Sequence, residues 1–171
     1  MSGGAGSDMY YVDNAKDSIT GESSSSSGGI DTVFSSVSFS LAGDYVEQLA
    51  LTGSGSINAT GNGLANVLTG NSGKNVLKGD AGNDTLQGGA GADSLTGGTG
   101  SDRFVYAAAS ESTTKALDVI ADFVRGADKI DLSHLDANAG KSGLQDFSFI
   151  GSNAFSSNAT GSCASRSKAA R

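Results

Sequence analysis

A nine-residue period runs without a gap from Gly61 to Val105. Its five units read GNGLANVLT, GNSGKNVLK, GDAGNDTLQ, GGAGADSLT and GGTGSDRFV. Position 1 is always glycine, position 4 is glycine except for Leu64, and position 6 is Asn or Asp. Position 8 is large and apolar, as Leu68, Leu77, Leu86, Leu95 and Phe104. A short fixed period of this kind is typical of a repeat protein, in which each unit packs on its neighbours.

Each position of the unit has a physical reason. Glycine, asparagine and aspartate at positions 1, 2 and 4 tolerate positive φ, so the first six residues predict a tight turn. The last three residues predict a short strand whose position 8 faces a core, while positions 7 and 9 face water. Two units then form one coil, and residues 18 apart lie in neighbouring coils on the same edge. We therefore expect an all-β fold, a parallel β-roll or β-solenoid.

The polar residues at position 6 predict metal sites along both edges of the roll. Stacking places Asp84 beside Asp102, Asn75 beside Asp93 and Asn66 beside Asp84, about 4.8 Å apart. Facing carboxylates repel, and Ca²⁺ relieves that repulsion because it takes six to eight carboxylate and carbonyl oxygens. We expect several calcium ions, with the Asp84–Asp102 pair the best site. The candidate ligands are Asn66, Asn75, Gly79, Asp80, Gly82, Asp84, Gly88, Gly89, Gly91, Asp93, Gly97, Gly98, Gly100 and Asp102. A metal-free solenoid with Asn and Asp ladders is the alternative, above all for the two units that carry Asn at position 6.

These units resemble the GGxGxDxUx repeat of RTX proteins, a calcium-binding parallel β-helix. GGAGSDMYY at 3–11 is a further unit of this type, with Asp8 at position 6. The segment DVIADFVRGADKIDLSHLDA at 118–137 resembles the one that follows the repeats in C-terminal domains of serralysin-type metalloproteases. The resemblance, which covers 3–161, implies antiparallel strands that cap the roll at its C-terminal end. The cap core would consist of Phe123, Ile130, Leu132, Leu135, Phe147, Phe149 and Ile150.

The pattern divides the chain into irregular solenoid coils at 1–60, the nonapeptide roll at 61–105, the cap at 106–161 and a disordered or non-native tail at 162–171. Strands are expected within 30–41 and 45–52, and a mobile loop within 22–29. We expect Asp31, Asp44 and Glu47 to be solvated. Calcium binding and structural hydrogen bonding both remain open for Asp8, Glu111, Asp128 and Asp131.

Composition excludes several functional classes. The chain has 26 glycines and no proline, which rules out collagen, and its formal charge of −7 argues against nucleic acid and anionic membranes. No apolar run could span a membrane, and no signal peptide is visible at the N-terminus. Cys163 is the only cysteine and His134 the only histidine, so an intrachain disulfide and a multi-histidine zinc site are impossible within the chain. We expect a non-catalytic module.

The leading functional hypothesis is a monomeric module of a secreted bacterial protein that folds when it meets extracellular calcium. Its partners would be calcium ions and the type I secretion machinery that exports the parent protein. A second hypothesis is an accessory module that binds a polysaccharide such as alginate, since the RTX modules of mannuronan C5-epimerases look similar; Lys74, Lys78 and Arg103 would then form a basic stripe. A third is a structural segment of a surface adhesin.

Overall fold

The structure is a computed structural model that describes residues 1–22, 28–135, 148–149 and 162–163. The described residues are all-β and form two compact units, Met1–Asp131 and Leu132–Arg171. The strands of the first unit are β1 Met9–Val12, β2 Thr32–Ser35, β3 Phe39–Ser40, β4 Gln48–Leu51, β5 Ala59–Thr60, β6 Val67–Thr69, β7 Val76–Ala81, β8 Thr85–Gln87, β9 Ser94–Thr99, β10 Arg103–Val105, β11 Val119–Ile120 and β12 Lys129–Asp131. In the second unit, β13 Ser148–Phe149 pairs in parallel with β14 Ser162–Cys163.

The first unit is a parallel β-solenoid with two sheets. One sheet has the order β1-β2-β4-β6-β8-β10-β12, and the other has the order β11-β9-β7-β5-β3. From β2 onward, successive strands alternate between the sheets, so the chain winds steadily from one face to the other. Every strand pair in both sheets is parallel. The predicted parallel β-solenoid is confirmed.

The register follows the predicted repeat. Leu68 lies opposite Leu86 and Leu77 opposite Leu95, so residues 18 apart are neighbours in adjacent coils. The side chains at position 8 of all five units have no exposed surface. They form the core between the sheets together with Tyr10, Val12, Ile19, Val33, Leu41, Val46, Leu49, Leu51 and Ala59. Burial of these apolar side chains, contributed by both sheets, holds the coils together.

The glycines of the turns have two different roles. Positive φ occurs at positions 2 and 4 of the last three units, for example 76° at Asp80 and 146° at Gly100. Position 1 does not have positive φ, so that part of the turn prediction was wrong. Glycine is needed there because a Cβ on Gly79 would overlap both Asp84 Oδ2 and the carbonyl oxygen of Gly97 in the next coil.

The alternating segment at 30–41 is not one strand. It forms β2 in one sheet and β3 in the other, with a corner at Ser36–Val37 between them. The buried Ser35 hydroxyl donates to the Val37 carbonyl at 2.7 Å, which stabilises this corner. Period-two alternation could not locate the corner, because the corner keeps the same inside–outside alternation.

The cap prediction was wrong for residues 118–131. β11 and β12 are not antiparallel but extend the two sheets by one more parallel strand each, pairing with β9 and β10. Phe123 and Ile130 are 43% and 50% exposed, so they do not form a buried cap core. Leu132 and Leu135 are half-buried, and the rest of the predicted cap core, Phe147, Phe149 and Ile150, lies outside the residues whose side chains the structure describes. So do residues 23–27 of the predicted loop and most of the predicted tail.

Candidate metal centre

The position 6 side chains of alternate units, Asn66, Asp84 and Asp102, form a continuous row along one edge of the solenoid. In each step, a carboxylate accepts a hydrogen bond from the backbone N–H of its counterpart in the preceding coil. Asn66 N donates to Asp84 Oδ1 at 2.7 Å, and Asp84 N donates to Asp102 Oδ1 at 2.9 Å. Asp102 N donates in turn to Asp128 Oδ1 at 3.0 Å. The predicted neighbours are therefore adjacent, and the row continues one coil beyond the repeat.

A second row lies along the opposite edge. Asn75 N donates to Asp93 Oδ1 at 2.8 Å, and Asp93 N donates to Asp118 Oδ1 at 2.9 Å. Asp118 was not among the sequence candidates, because it follows Asp93 by 25 residues rather than by 18. It keeps the local pattern of the repeat, however, since it precedes strand β11 in the same way that Asp93 precedes β9.

Four of these carboxylates have a second oxygen without a hydrogen-bond partner in the described part of the chain. Oδ2 of Asp84, Asp93, Asp102 and Asp118 is buried and has no hydrogen-bond partner among the described residues. An ionised carboxylate oxygen that is removed from water without a compensating contact is strongly destabilising. Each Oδ2 is therefore suited to binding a cation. The hydrogen bond from a backbone N–H to Oδ1 of the same carboxylate fixes the direction in which Oδ2 points.

The raised pKa values of the carboxylates in both rows also indicate cation sites. Burial raises the pKa of Asp84 to about 6, against the hydrogen bond from Asn66, and the charges of Asp102 and Asp80 raise it further. Burial also raises the pKa of Asp93 to about 6, with a contribution from the charge of Asp118. The same cause raises the pKa of Asp102 and of Asp118. The fold thus disfavours the ionised carboxylates unless a positive charge joins them.

Backbone carbonyls converge on the same points. A Cβ on Gly79 would overlap Asp84 Oδ2 and the Gly97 carbonyl oxygen together, so these two oxygens crowd one site from adjacent coils. The remaining candidate glycines lie in the same stacked turns, where a Cβ on Gly82, Gly89, Gly98 or Gly100 would meet a carbonyl of the preceding coil. Hard oxygen donors from carboxylates and carbonyls are the set that Ca²⁺ takes, so the residues present fit calcium.

The Asn-bearing turns differ from the Asp-bearing ones. Asn66 Oδ1 accepts from Asn62 N at 2.8 Å, and Asn66 Nδ2 donates to the Val46 and Glu47 carbonyls at 3.2 and 3.3 Å. Asn75 is arranged in the same way, because Oδ1 accepts from a backbone N–H at 2.9 Å and Nδ2 donates to the Ile57 carbonyl at 2.6 Å. Amide groups therefore satisfy these turns internally, and the ligand role of the two asparagines remains a prediction.

Four acidic groups outside the nonapeptides have defined environments. Both oxygens of Asp128 accept backbone N–H groups, at 3.0 and 2.7 Å. Both oxygens of Glu111 accept hydrogen bonds, from Gln87 and Ala107. Asp131 pairs with Arg103 at 3.2 Å. Asp31, which was expected to be solvated, is only 1% exposed, and that expectation was wrong.

Two of the three cations of the predicted basic stripe, Lys78 and Arg103, lie on opposite sheets of the solenoid. Lys78 extends from β7 and Arg103 from β10, and these strands belong to opposite sheets. Arg103 is also engaged by Asp131. The two cations therefore cannot line one surface for an acidic polymer. His134, the only histidine, is exposed.

The comparisons with known proteins agree with this geometry. A sequence model of the family described as Peptidase M10 serralysin C terminal matches residues 3–166. No curated protein matches the chain significantly. Within the described ranges, no helix is long and apolar enough to cross a membrane.

Proposed function

The chain belongs to the serralysin C-terminal family, and on this basis we propose that it is a non-catalytic module whose solenoid folds when calcium ions enter its turns. The observation that carries the proposal is the set of four buried Oδ2 atoms, on Asp84, Asp93, Asp102 and Asp118, that have no hydrogen-bond partner among the described residues. Calcium would supply the positive charge that these oxygens need, and glycine carbonyls of adjacent turns would complete the ligand set.

The energetics support coupling between folding and binding. At neutral pH each of Asp84 and Asp93 opposes folding by about 3 kcal/mol, because a carboxyl with a pKa of about 6 must ionise in the fold. One calcium ion at ten times its dissociation constant stabilises the fold by about 1.4 kcal/mol. Four such ions add about 6 kcal/mol, which offsets the cost at the two carboxylates and is comparable to the stability of a small domain.

The extracellular location that we propose for the parent protein rests on the affinity typical of extracellular calcium modules. Extracellular calcium modules have dissociation constants of about 10⁻⁴–10⁻³ M, far above cytosolic calcium levels. A module of this type stays unfolded in the cytosol and folds outside the cell. We propose that it passes the type I secretion machinery of a bacterium in the unfolded state and folds as it emerges, as part of a larger secreted protein.

Flow dialysis with calcium tests the metal-binding part of the proposal. The variant Asp84→Asn/Asp93→Asn/Asp102→Asn keeps every Oδ1 acceptor but removes three charges, and we expect it to lose most of the bound calcium at about 1 mM, the upper end of the affinity range of extracellular modules. The matched control is Asp13→Asn/Asp17→Asn, in which both side chains lie outside the two rows. Equal calcium binding by the wild type and the triple variant would refute the proposed sites.

The export step has a separate test. We expect the chain, fused to a type I export signal, to be secreted by cells that carry the exporter. Stabilising the folded state in the cytosol should block this secretion. Efficient export of a chain that is already folded in the cytosol would contradict the proposed coupling.

A further inference from the structure

A pair of aromatic rings lies on the outer face of the seven-stranded sheet, in the first coils of the solenoid. Tyr11 on β1 is in register with Phe34 on β2, and their rings stack with centroids 5.4 Å apart. Both face away from the core, since the adjacent Tyr10 and Val33 are buried. Tyr11 is 70% exposed, and the next residue in register is the small Ala50 of β4. Tyr11, Phe34 and Ala50 thus form an aromatic strip that faces solvent.

A polar strip, formed by Asp13, Ser36 and Thr52, runs beside the aromatic strip. Each of its members follows a residue of the aromatic strip by two positions, so the alternation of side chains brings it to the same face. Backbone contacts keep the three segments in register beyond the strands. Ser36 N donates to the Val12 carbonyl at 2.9 Å, and Thr52 N donates to the Ser35 carbonyl at 2.8 Å.

The two strips line one surface hollow of about 190 Å³. Its lining residues are Tyr11, Val12, Asp13, Phe34, Ser36 and Thr52. They combine two aromatic rings with two hydroxyl groups and one carboxylate, and they carry one negative charge and no positive charge. The Ser36 hydroxyl makes only a long contact of 3.5 Å with the Val12 carbonyl, so it can still bond a ligand. Aromatic surface with a few polar groups is the usual lining of a small-molecule site.

The nonapeptide coils do not continue this arrangement. Thr69 and Gln87 follow Ala50 in the register of the same sheet, so the aromatic strip ends there. A glycine, Gly70 or Gly88, comes directly after each of them and begins the next turn. The polar strip therefore has no counterpart in these coils, and the hollow belongs to the irregular first coils.

We propose that this hollow binds a sugar ring of an uncharged glycan. A pyranose has a face of C–H groups, which packs on the rings of Tyr11 and Phe34. It also has a rim of hydroxyl groups, which can donate to the Asp13 carboxylate and accept from the hydroxyls of Ser36 and Thr52. The site goes beyond calcium-dependent folding, because none of these five residues belongs to either carboxylate row.

The charge of the lining selects against other ligands. An anionic sugar would meet the Asp13 carboxylate, the one charge of the hollow, and like charges repel. A wholly apolar ligand would remove that carboxylate from water without giving it a hydrogen bond, which opposes binding. An uncharged, hydroxylated ligand satisfies both the carboxylate and the aromatic rings.

Affinity electrophoresis of the full chain in native gels with calcium tests the site. The probes are two uncharged glucans, β-linked hydroxyethyl cellulose and α-linked soluble starch, with alginate as the anionic comparison. At least one glucan should retard the wild type, and alginate should not. Tyr11→Ser and Asp13→Ala should each lose most of the retardation. Tyr45→Ser, at an exposed tyrosine outside the hollow, should migrate as the wild type does.

Far-UV circular dichroism verifies that each variant keeps the sheet, so that lost retardation reports on the hollow. Equal retardation of the wild type and Tyr11→Ser, no retardation in either glucan, or retardation in alginate alone would overturn the assignment. Sedimentation velocity tests a second copy of the chain as the occupant. Self-association that Tyr11→Ser abolishes, without retardation in the glucan gels, would assign the aromatic strip to a protein interface and overturn the glycan site.

Discussion

Replacement of Asp84 by asparagine should have opposite effects on the calcium-free and calcium-bound protein. Without calcium, burial holds the pKa of Asp84 at about 6, against an ordinary value of 3.8. The folded carboxyl therefore binds its proton more tightly than the unfolded one, and the stability that this provides is fully present below about pH 3.8 and is lost as the pH rises to 6. The loss corresponds to about 3 kcal/mol at neutral pH.

An amide at this position avoids that cost. The new side chain would still accept from Asn66 N, and Asn66 itself shows how an amide at position 6 satisfies neighbouring carbonyls. We therefore expect Asp84→Asn to stabilise the calcium-free solenoid at neutral pH by up to about 3 kcal/mol, while it weakens calcium binding.

Osmolyte-induced folding measures this effect even if the calcium-free chain is unfolded in buffer. Far-UV circular dichroism in chelator gives the sucrose concentration at the folding midpoint, at about pH 3.5 and about pH 7, on either side of the titration. The wild type should need much more osmolyte at the higher pH, and Asp84→Asn should reduce that difference, whereas Asp13→Asn should not. An identical pH response in the wild type and Asp84→Asn would refute the electrostatic reasoning.

Three further substitutions test the turn glycines, the apolar core and the asparagine-bearing turns. Gly100→Ala should destabilise the calcium-loaded solenoid by at least about 2 kcal/mol in urea unfolding, because φ is 146° there and the new Cβ would overlap a carbonyl of the preceding coil. The control is Gly63→Ala, whose Cβ would meet nothing within 4 Å, and its stability should be nearly unchanged. Leu86→Ala, at a fully buried position, should cost about 2–5 kcal/mol in the same assay, and Val67→Ala, 40% exposed, much less. Asn66→Asp should raise the calcium stoichiometry in calorimetry and lower calcium-free stability; a rise in calcium-free stability would count against the role of the Asn66 amide.

The sequence predicted the regular part of the fold because each constraint there is local. A nine-residue period fixes the strand, the buried position 8 and the neighbour 18 residues away, and the register of Leu68 with Leu86 confirms it. The antiparallel cap came from a resemblance rather than from the residues. β11 and β12 instead continue the parallel sheets, since their backbone groups complete the open edges of β9 and β10.

The site was predicted where the period holds and missed where it lapses. Asp118 lies in a coil of irregular length, so counting by nine did not reach it. The local signal was nevertheless present: it is an Asp followed two residues later by a half-buried apolar strand residue, much as in the nonapeptides.

The most direct test of calcium-dependent folding is a calcium titration of the whole chain followed by far-UV circular dichroism, with magnesium in parallel. We predict a cooperative transition from coil to β-sheet with calcium alone, because the buried carboxylates of Asp84, Asp93, Asp102 and Asp118 need a cation that accepts several oxygen ligands at once. A sheet spectrum that is already complete in chelator at neutral pH, and that does not change with calcium, would contradict it.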